Sequence, residues 1–66
     1  MENVIYSING PVVSVKGKTD LQMTEMVFVG NQRLIGEVIR IDSDETVIQV
    51  YEETSGLGPG VAVETT

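Results

Sequence analysis

β-Branched residues dominate this sequence. Valine and isoleucine together supply seventeen of the 66 residues, whereas leucine occurs three times and alanine once. β-Branched side chains are stiff at χ1 and fit the pleated surface of a sheet, while helices favour leucine, alanine and straight-chain residues. Glycine, proline, asparagine or aspartate interrupts the apolar segments at short intervals, so no stretch is long enough for a packed helix. The sequence therefore predicts an all-β domain.

Turn residues divide the chain into six predicted strands. The strands are predicted at Val4–Ile8, Val12–Val15, Thr24–Val29, Arg33–Ile41, Glu45–Glu52 and Val61–Glu64. Short strands that leave no long open edge are most economically closed into a barrel. Gly36, inside the fourth strand, predicts a bend or bulge of the kind found at barrel corners. We therefore predict that residues 1–66 form one domain, a small closed six-stranded Greek-key β-barrel.

Both faces of the fourth and fifth strands are largely apolar. In the fourth strand, strict alternation places Ile35, Glu37, Ile39 and Ile41 on one face and Leu34, Gly36, Val38 and Arg40 on the other. A barrel strand buries its inward face, so an apolar outward face needs a neighbour. The alternative, that the second face carries only scattered surface valines, stays open.

The chain is short and acidic, and it contains neither cysteine nor histidine. Ten acidic and four basic residues give a formal net charge of −6, which argues against binding nucleic acid or an anionic membrane surface. The missing cysteine and histidine exclude disulfides, thiolate metal sites and the usual general base at neutral pH. A core of this size is marginal, so we expect a partner surface to reinforce it. The N-terminus lacks a secretory signal pattern, which predicts a cytosolic protein.

Two glycine-containing segments resemble phosphate-binding loops without meeting their requirements. Gly17-Lys18-Thr19 resembles the end of such a loop, but Val12 stands where the first glycine belongs and no helix is predicted to follow. The segment 56–60 contains Pro59, which has no N–H group to offer a phosphate. Both segments are therefore predicted to be turns.

The carboxylates and serines form no recognisable catalytic or metal site. The acids of segment 42–45 lack the spacing and the glycine of a calcium loop, so a solvated turn is expected. Glu52 and Glu53 are adjacent on a strand and point to opposite faces, which prevents them from acting on one substrate. No histidine is present to activate a serine. We therefore predict no catalytic, cofactor-binding or metal-ligating residue.

The stretch from Gln49 to Gly56 reads Q-V-Y-E-E-T-S-G and follows a predicted hairpin that begins at Leu34. This stretch, which is the most specific, and the hairpin before it resemble the N-terminal domain of the catalytic A subunits of V-type and A-type rotary ATPases. Segment 8–13 is similar to the family's S-G-P-V-V opening, with Asn9 in place of the serine, and segment 26–30 to its E-x-V-x-V-G strand. The related B subunits tend to carry a phenylalanine and a small residue at positions 51 and 53. The resemblance therefore covers the whole chain and favours the A type over the B type.

The resemblance implies a structural role inside a larger enzyme. In the family this domain is a six-stranded barrel, and three A and three B barrels form a crown at the end of the hexamer farthest from the membrane. The expected partners are therefore neighbouring B subunits, and A subunits, with no direct membrane contact and a cytoplasmic location in the soluble ATPase head. The family's phosphate-binding loop and catalytic residues lie beyond Thr66. The resemblance thus implies ATP and magnesium as ligands of the parent ATPase subunit, which couples ATP hydrolysis or synthesis to proton or sodium transport. It implies no cofactor for this N-terminal piece.

The apolar second faces and the resemblance together predict a contact surface between neighbouring barrels. We expect Val38, Arg40, Tyr51 and Glu53 to contribute to it. We also expect Arg40 to pair across strands with an acid such as Glu45 or Glu37, a pair of small energetic value if exposed.

Two other function classes compete with the assembly role. A free-standing barrel that binds a peptide or single-stranded nucleic acid would need stacking aromatics and a basic groove, yet only Tyr6, Phe28 and Tyr51 are aromatic. An independent enzyme would need a nucleophile–base pair, a metal cluster or a cofactor loop, and the sequence offers none of these. The assembly role is therefore preferred.

Overall fold

Six strands close into a barrel in the computed structural model, which describes residues 3–17, 21–54 and 56–65. The strands are β1 (Asn3–Asn9), β2 (Val12–Lys16), β3 (Met26–Val29), β4 (Leu34–Ile41), β5 (Glu45–Val50) and β6 (Ala62–Thr65). All neighbours are antiparallel, and the order around the barrel is β1-β2-β5-β4-β3-β6, with β6 paired back to β1. Because β3, β4 and β5 are successive neighbours and β2 returns beside β5, the predicted Greek-key arrangement is confirmed.

Alternate residues of the strands fill the barrel interior. The buried apolar residues are Ile5, Val13, Val15, Leu21, Val27, Val29, Leu34, Val38, Ile48, Val50 and Val63. All but two of these are valine or isoleucine, because inward positions on a tightly curved sheet suit compact β-branched side chains. Valine and isoleucine, which are abundant in the sequence, thus make up most of the core.

A β-bulge in β4 changes which of its residues face outward. Val38 pairs with Ile48, but Arg40 pairs with Val47. Two steps along β4 therefore correspond to one step along β5, and Ile39 is the extra, bulged residue. After the bulge, Arg40 points outward while Val38 points inward. The predicted placement of both residues on one face is therefore wrong, because strict alternation fails wherever a bulge inserts a residue.

Gly36 allows β4 and β5 to approach closely. A β-carbon at this position would lie 2.8 Å from Cγ2 of Ile48 and 3.2 Å from the backbone oxygen of Gln49. The bulge that the sequence predicts at Gly36 lies beyond Val38 instead. Gly36 is thus required for packing between two neighbouring strands.

The observed strand ends differ from the predicted ones by one or two residues. Thr24 and Arg33 have positive φ values of 65° and 55°, which places them outside regular strands and shortens β3 and β4 at their starts. The backbone N–H of Thr24 still donates to the carbonyl of Val38 at 2.9 Å. The predicted turn at Gly17-Lys18-Thr19 lies partly outside the described residues, as does Ser55 in the glycine-containing loop.

The barrel has two ends that differ in their turns. One end, here called the hairpin end, carries the β4–β5 turn at 42–44, and Gly17 donates its N–H to the carbonyl of Asp44 there at 2.7 Å. The other, called the pocket end, carries the turns at 10–11 and 30–33 and the described residues of segment 51–61. At this end the Thr54 hydroxyl donates to the Gly10 carbonyl at 2.9 Å. Within the described residues, no helix is long and apolar enough to cross a membrane.

Candidate functional site

The outward face of β3, β4 and β5 carries large apolar side chains that water can reach. Met26 and Ile39 are each about two-fifths exposed, and Tyr51, which directly follows β5, is 53% exposed. Because these strands are adjacent, the three side chains lie on one side of the barrel. Exposed apolar surface of this kind is typical of contact regions. This side of β3–β5, called the outer apolar face below, is the strongest candidate for a contact surface.

The four predicted contact residues do not lie together. Val38 is fully buried among the core residues, so its side chain is not available at the surface and we remove it from the predicted contact. Arg40 lies near the hairpin end, whereas Tyr51 and Glu53 lie at the pocket end. The structure therefore brings Tyr51 and Glu53 to one end of the barrel and leaves Arg40 at the other.

Arg40 pairs with acids on both sides of the β4–β5 turn. Its guanidinium Nη2 lies 3.1 Å from the carboxylate of Asp42 and 3.9 Å from that of Glu45. The predicted pair with Glu45 is therefore present, and Asp42 is a partner that the strand pattern did not indicate. The Arg40 side chain is 63% exposed, so each pair contributes about 0–1 kcal/mol at most. Arg40 thus remains accessible to a neighbouring molecule.

Tyr51 is held against β4 by its backbone and its hydroxyl. Its N–H donates to the carbonyl of Ile35 at 3.0 Å, and its hydroxyl donates to the carboxylate of Glu37. That hydrogen bond, followed by desolvation and by the negative charge of Glu37, raises the pKa of the Tyr51 phenol above its usual value of 10.0. The aromatic ring is therefore fixed in orientation although half of it is exposed.

Replacing Glu37 with glutamine is expected to lower the pKa of Tyr51. The substitution removes both the carboxylate acceptor and the negative charge that disfavour the phenolate. A raised pKa stabilises the fold fully below pH 10.0, and this contribution is lost as the pH rises through the folded-state pKa of Tyr51. Phenolate absorbance, followed against pH in a Tyr6→Phe background that leaves Tyr51 as the only tyrosine, measures the effect. An unchanged titration midpoint would contradict the hydrogen bond.

A pocket opens at the pocket end, beside Tyr51. It has a volume of about 220 Å³ and is lined by Asn31, Gln32, Leu34, Glu53, Gly56, Leu57 and Val61. Gly30, with φ of 78°, forms the turn beneath it, and a β-carbon there would lie 2.7 Å from Cδ2 of Leu57. The positive φ and the close approach of Leu57 both favour glycine at position 30. The lining of the pocket thus combines apolar and polar residues.

The sequence did not indicate this pocket. Its residues come from the β3–β4 turn, the start of β4 and segment 53–61, which are far apart in the chain. The glycines of 56–60 were interpretable only as turn residues, and nothing local shows that Leu57 and Val61 face the turn at 30–33. Glu53 alone among the predicted contact residues lies on this pocket.

The described residues do not fit a metal ion or a nucleotide. No group of three or more acidic, histidine or cysteine side chains is placed to hold a metal within residues 3–17, 21–54 and 56–65. Glu53 lines the pocket, its negative charge disfavours phosphate nearby, and the described lining includes no basic residue. We therefore derive no chemical step through ATP or magnesium for this domain.

Comparison with protein families identifies one that matches nearly the whole chain. Residues 5–66 match the ATP synthase alpha/beta family, beta-barrel domain. The A subunit of the A-type ATP synthase of Haloferax volcanii is 55% identical over 65 residues, and that of Thermofilum pendens is 50% identical over 62 residues. The V-type ATP synthase alpha chain of Clostridium novyi is 48% identical over 62 residues.

These matches cover most of this chain but little of each relative. The aligned region is 98% of this chain and 11% of the Haloferax protein, and 94% of this chain and 10% of each of the other two. The chain thus spans about a tenth of the length of these relatives. Among solved structures, the assembled ATPase EscN from the type III secretion system of enteropathogenic E. coli superposes with a TM-score of 0.86 over 98% of this chain and 16% of EscN. The identity to EscN is 23%, so this likeness concerns the fold alone.

Proposed function

Because this chain belongs to the ATP synthase alpha/beta family, as a β-barrel domain of the A-subunit type, we propose that it is an assembly domain of a rotary ATPase. Its role is to hold neighbouring subunits of the hexamer together while chemistry takes place elsewhere in the parent subunit. The partners are neighbouring B-type subunits, and A-type subunits, of the same head. The observation that supports this proposal best is the outer apolar face of the barrel.

The parent subunit carries the activity in this proposal. It hydrolyses or synthesises ATP with magnesium and couples this reaction to proton or sodium transport. The domain lies in the cytoplasmic head at the periphery of the membrane and makes no contact with lipid. The family match favours this role over a free-standing peptide- or nucleic-acid-binding barrel.

Two physical arguments support an assembly role for a barrel of this size. A domain of about 60 residues buries only ~60% of its unfolded surface, so a partner that covers apolar surface adds needed stability. A ring built from repeated contacts closes only when the rotation per subunit is fixed, and a closed barrel is rigid enough to fix it. Tyr51 and Ile39 are the apolar side chains of the outer apolar face that we assign to this contact, with Arg40 and Glu53 as polar contributors.

Replacing Tyr51 with alanine in the parent subunit is expected to weaken the hexamer. Rigid, half-exposed tyrosines are frequent hot spots, and loss of one raises the dissociation constant roughly tenfold, or ~1.4 kcal/mol. Tyr6→Ala is a matched control, because Tyr6 is 56% exposed but lies on β1, away from the outer apolar face. Mass photometry of the hexamer on dilution measures both variants. If Tyr51→Ala assembles like the unmodified protein, or if both variants weaken equally, the proposed contact is wrong.

A further inference from the structure

We infer that the pocket at the pocket end receives a basic side chain, lysine or arginine, from a neighbouring subunit that is not a second copy of this chain. The inference rests on the proposed assembly function and adds the chemistry of one contact within it. Three observations carry it: the volume and lining of the pocket, the presence of Glu53 in that lining and the distribution of charge over the barrel.

The pocket is large enough for one long side chain. Its volume of about 220 Å³ is many times what a single water molecule needs. Leu34, Leu57 and Val61 supply apolar surface, and Asn31, Gln32 and Glu53 supply polar groups. Lysine and arginine have this same division, with an apolar stem and a charged head that stays near polar groups. A wholly apolar side chain would leave Glu53 without a partner beside buried surface.

The carboxylate of Glu53 forms no ion pair with the described residues. The ion pairs there are Lys16 with Asp44, and Arg40 with Asp42 and Glu45, all near the hairpin end. Arg33 lies close to the pocket in the chain, but its guanidinium sits over the ring of Phe28, 4.6 Å from the centroid, and does not line the pocket. The acids of these ion pairs therefore have a basic partner within the barrel, whereas Glu53 has none among the described residues.

The charge of the chain bears on which partner fits. A second copy has ten acidic and four basic residues and a formal net charge of −6, so on balance it would bring negative charge to a pocket that Glu53 lines. Like charges at a contact are unfavourable, and opposite charges select the correct partner. A basic side chain from a different subunit pairs with the negative charge of Glu53, and its apolar stem packs against the apolar lining residues. The pocket thus favours contact between unlike subunits over self-association.

The test replaces Glu53 in the parent subunit, assembled with its own partner subunits. Glu53→Gln keeps the size of the side chain and removes its charge, and Glu53→Lys reverses the charge. We expect Glu53→Gln to raise the dissociation constant of the hexamer roughly tenfold at low ionic strength, and Glu53→Lys to raise it further. We also expect both variants to reduce the dependence of that constant on salt concentration, because the lost attraction is the one that salt screens. Mass photometry across a sodium chloride series measures both quantities.

Glu64 provides the matched control. It is exposed on β6 and forms no ion pair within the described residues, but it does not line the pocket. Glu64→Gln and Glu64→Lys are therefore expected to leave the dissociation constant within about twofold of the original value. If the Glu53 and Glu64 variants behave alike, the basic side chain is not in the pocket.

The outcome separates this inference from the proposed function. If the hexamer weakens with Tyr51→Ala but not with Glu53→Gln, the proposed assembly role stands and the inferred basic side chain in the pocket is wrong. Hexamers that respond to neither substitution overturn both. A protein that associates with identical copies as strongly as with its unlike partners contradicts the charge argument directly.

Discussion

Replacing Ile48 with alanine is expected to remove most of the stability of this domain. Ile48 is fully buried, and it contacts the neighbouring strand at Gly36, where its Cγ2 atom fills the space that a β-carbon would take. Isoleucine-to-alanine substitutions in cores cost about 2–5 kcal/mol, because apolar contacts are lost and a cavity remains. A domain of 66 residues has a free energy of unfolding of roughly 3–10 kcal/mol at ~0.05–0.15 kcal/mol per residue. One substitution therefore brings the barrel close to unfolding.

Urea denaturation followed by circular dichroism measures this loss as a shift of the midpoint. Gln49→Ala is the matched control, since Gln49 is the next residue of β5 and faces solvent. An exposed substitution of this kind changes the free energy of unfolding by about 0.5 kcal/mol or less. Equal midpoints for the Ile48→Ala and Gln49→Ala proteins would show that the face of β5 that carries Ile48 is not buried.

The fold class was predictable because local preference and barrel packing demand the same residues. Valines and isoleucines fill the core, and these are the residues that favour extended backbone in isolation. The turn at Gly10-Pro11 and the short acidic turn after Ile41 mark hairpin and strand ends that the structure retains. When local and tertiary requirements agree in this way, a sequence indicates its architecture without any relative for comparison.

The orientation of side chains near the bulge was not predictable. β4 is apolar on both faces, so alternation alone cannot show where an extra residue enters. The register is set by pairing with β5, in which Val38 lies opposite Ile48 and Arg40 opposite Val47. Register is a property of two strands and is fixed by tertiary packing. For that reason the prediction that Val38 lies at the contact surface is wrong, because Val38 is buried, whereas Arg40 is exposed.

The candidate site was predictable only in part for a similar reason. The sequence indicated Tyr51 and Glu53 through family resemblance, and both lie at the pocket end. The hydrogen bond from Tyr51 to Glu37 and the packing of Leu57 over Gly30 each join segments distant in the chain. No periodicity within one strand encodes such contacts. The site is thus a product of barrel closure, which brings the β3–β4 turn and segment 53–61 to the same end.

Replacing Gly36 with alanine is expected to destabilise the barrel, contrary to the usual effect of this substitution in a compatible backbone. Alanine in place of glycine normally stabilises by about 0.4–1 kcal/mol, because the unfolded chain loses conformational freedom. At position 36 the new methyl group would meet Cγ2 of Ile48 at 2.8 Å and the carbonyl oxygen of Gln49 at 3.2 Å. The first atom belongs to a fully buried side chain and the second to the backbone of β5, so neither can yield easily. Overpacking of this kind costs about 1–3 kcal/mol, which exceeds the entropic gain.

Gly58→Ala isolates the steric part of this effect. A β-carbon at Gly58 would meet no atom within 4 Å, and its φ lies outside the left-handed region. We therefore expect the free energy of unfolding of the Gly58→Ala protein to equal or slightly exceed that of the original, while Gly36→Ala falls below it. Urea midpoints of the two proteins give the comparison directly. Because the substitution is chemically identical at both positions, a lower midpoint at Gly36 alone measures how closely β4 and β5 approach, and equal midpoints would mean that the strands separate to accept the methyl group.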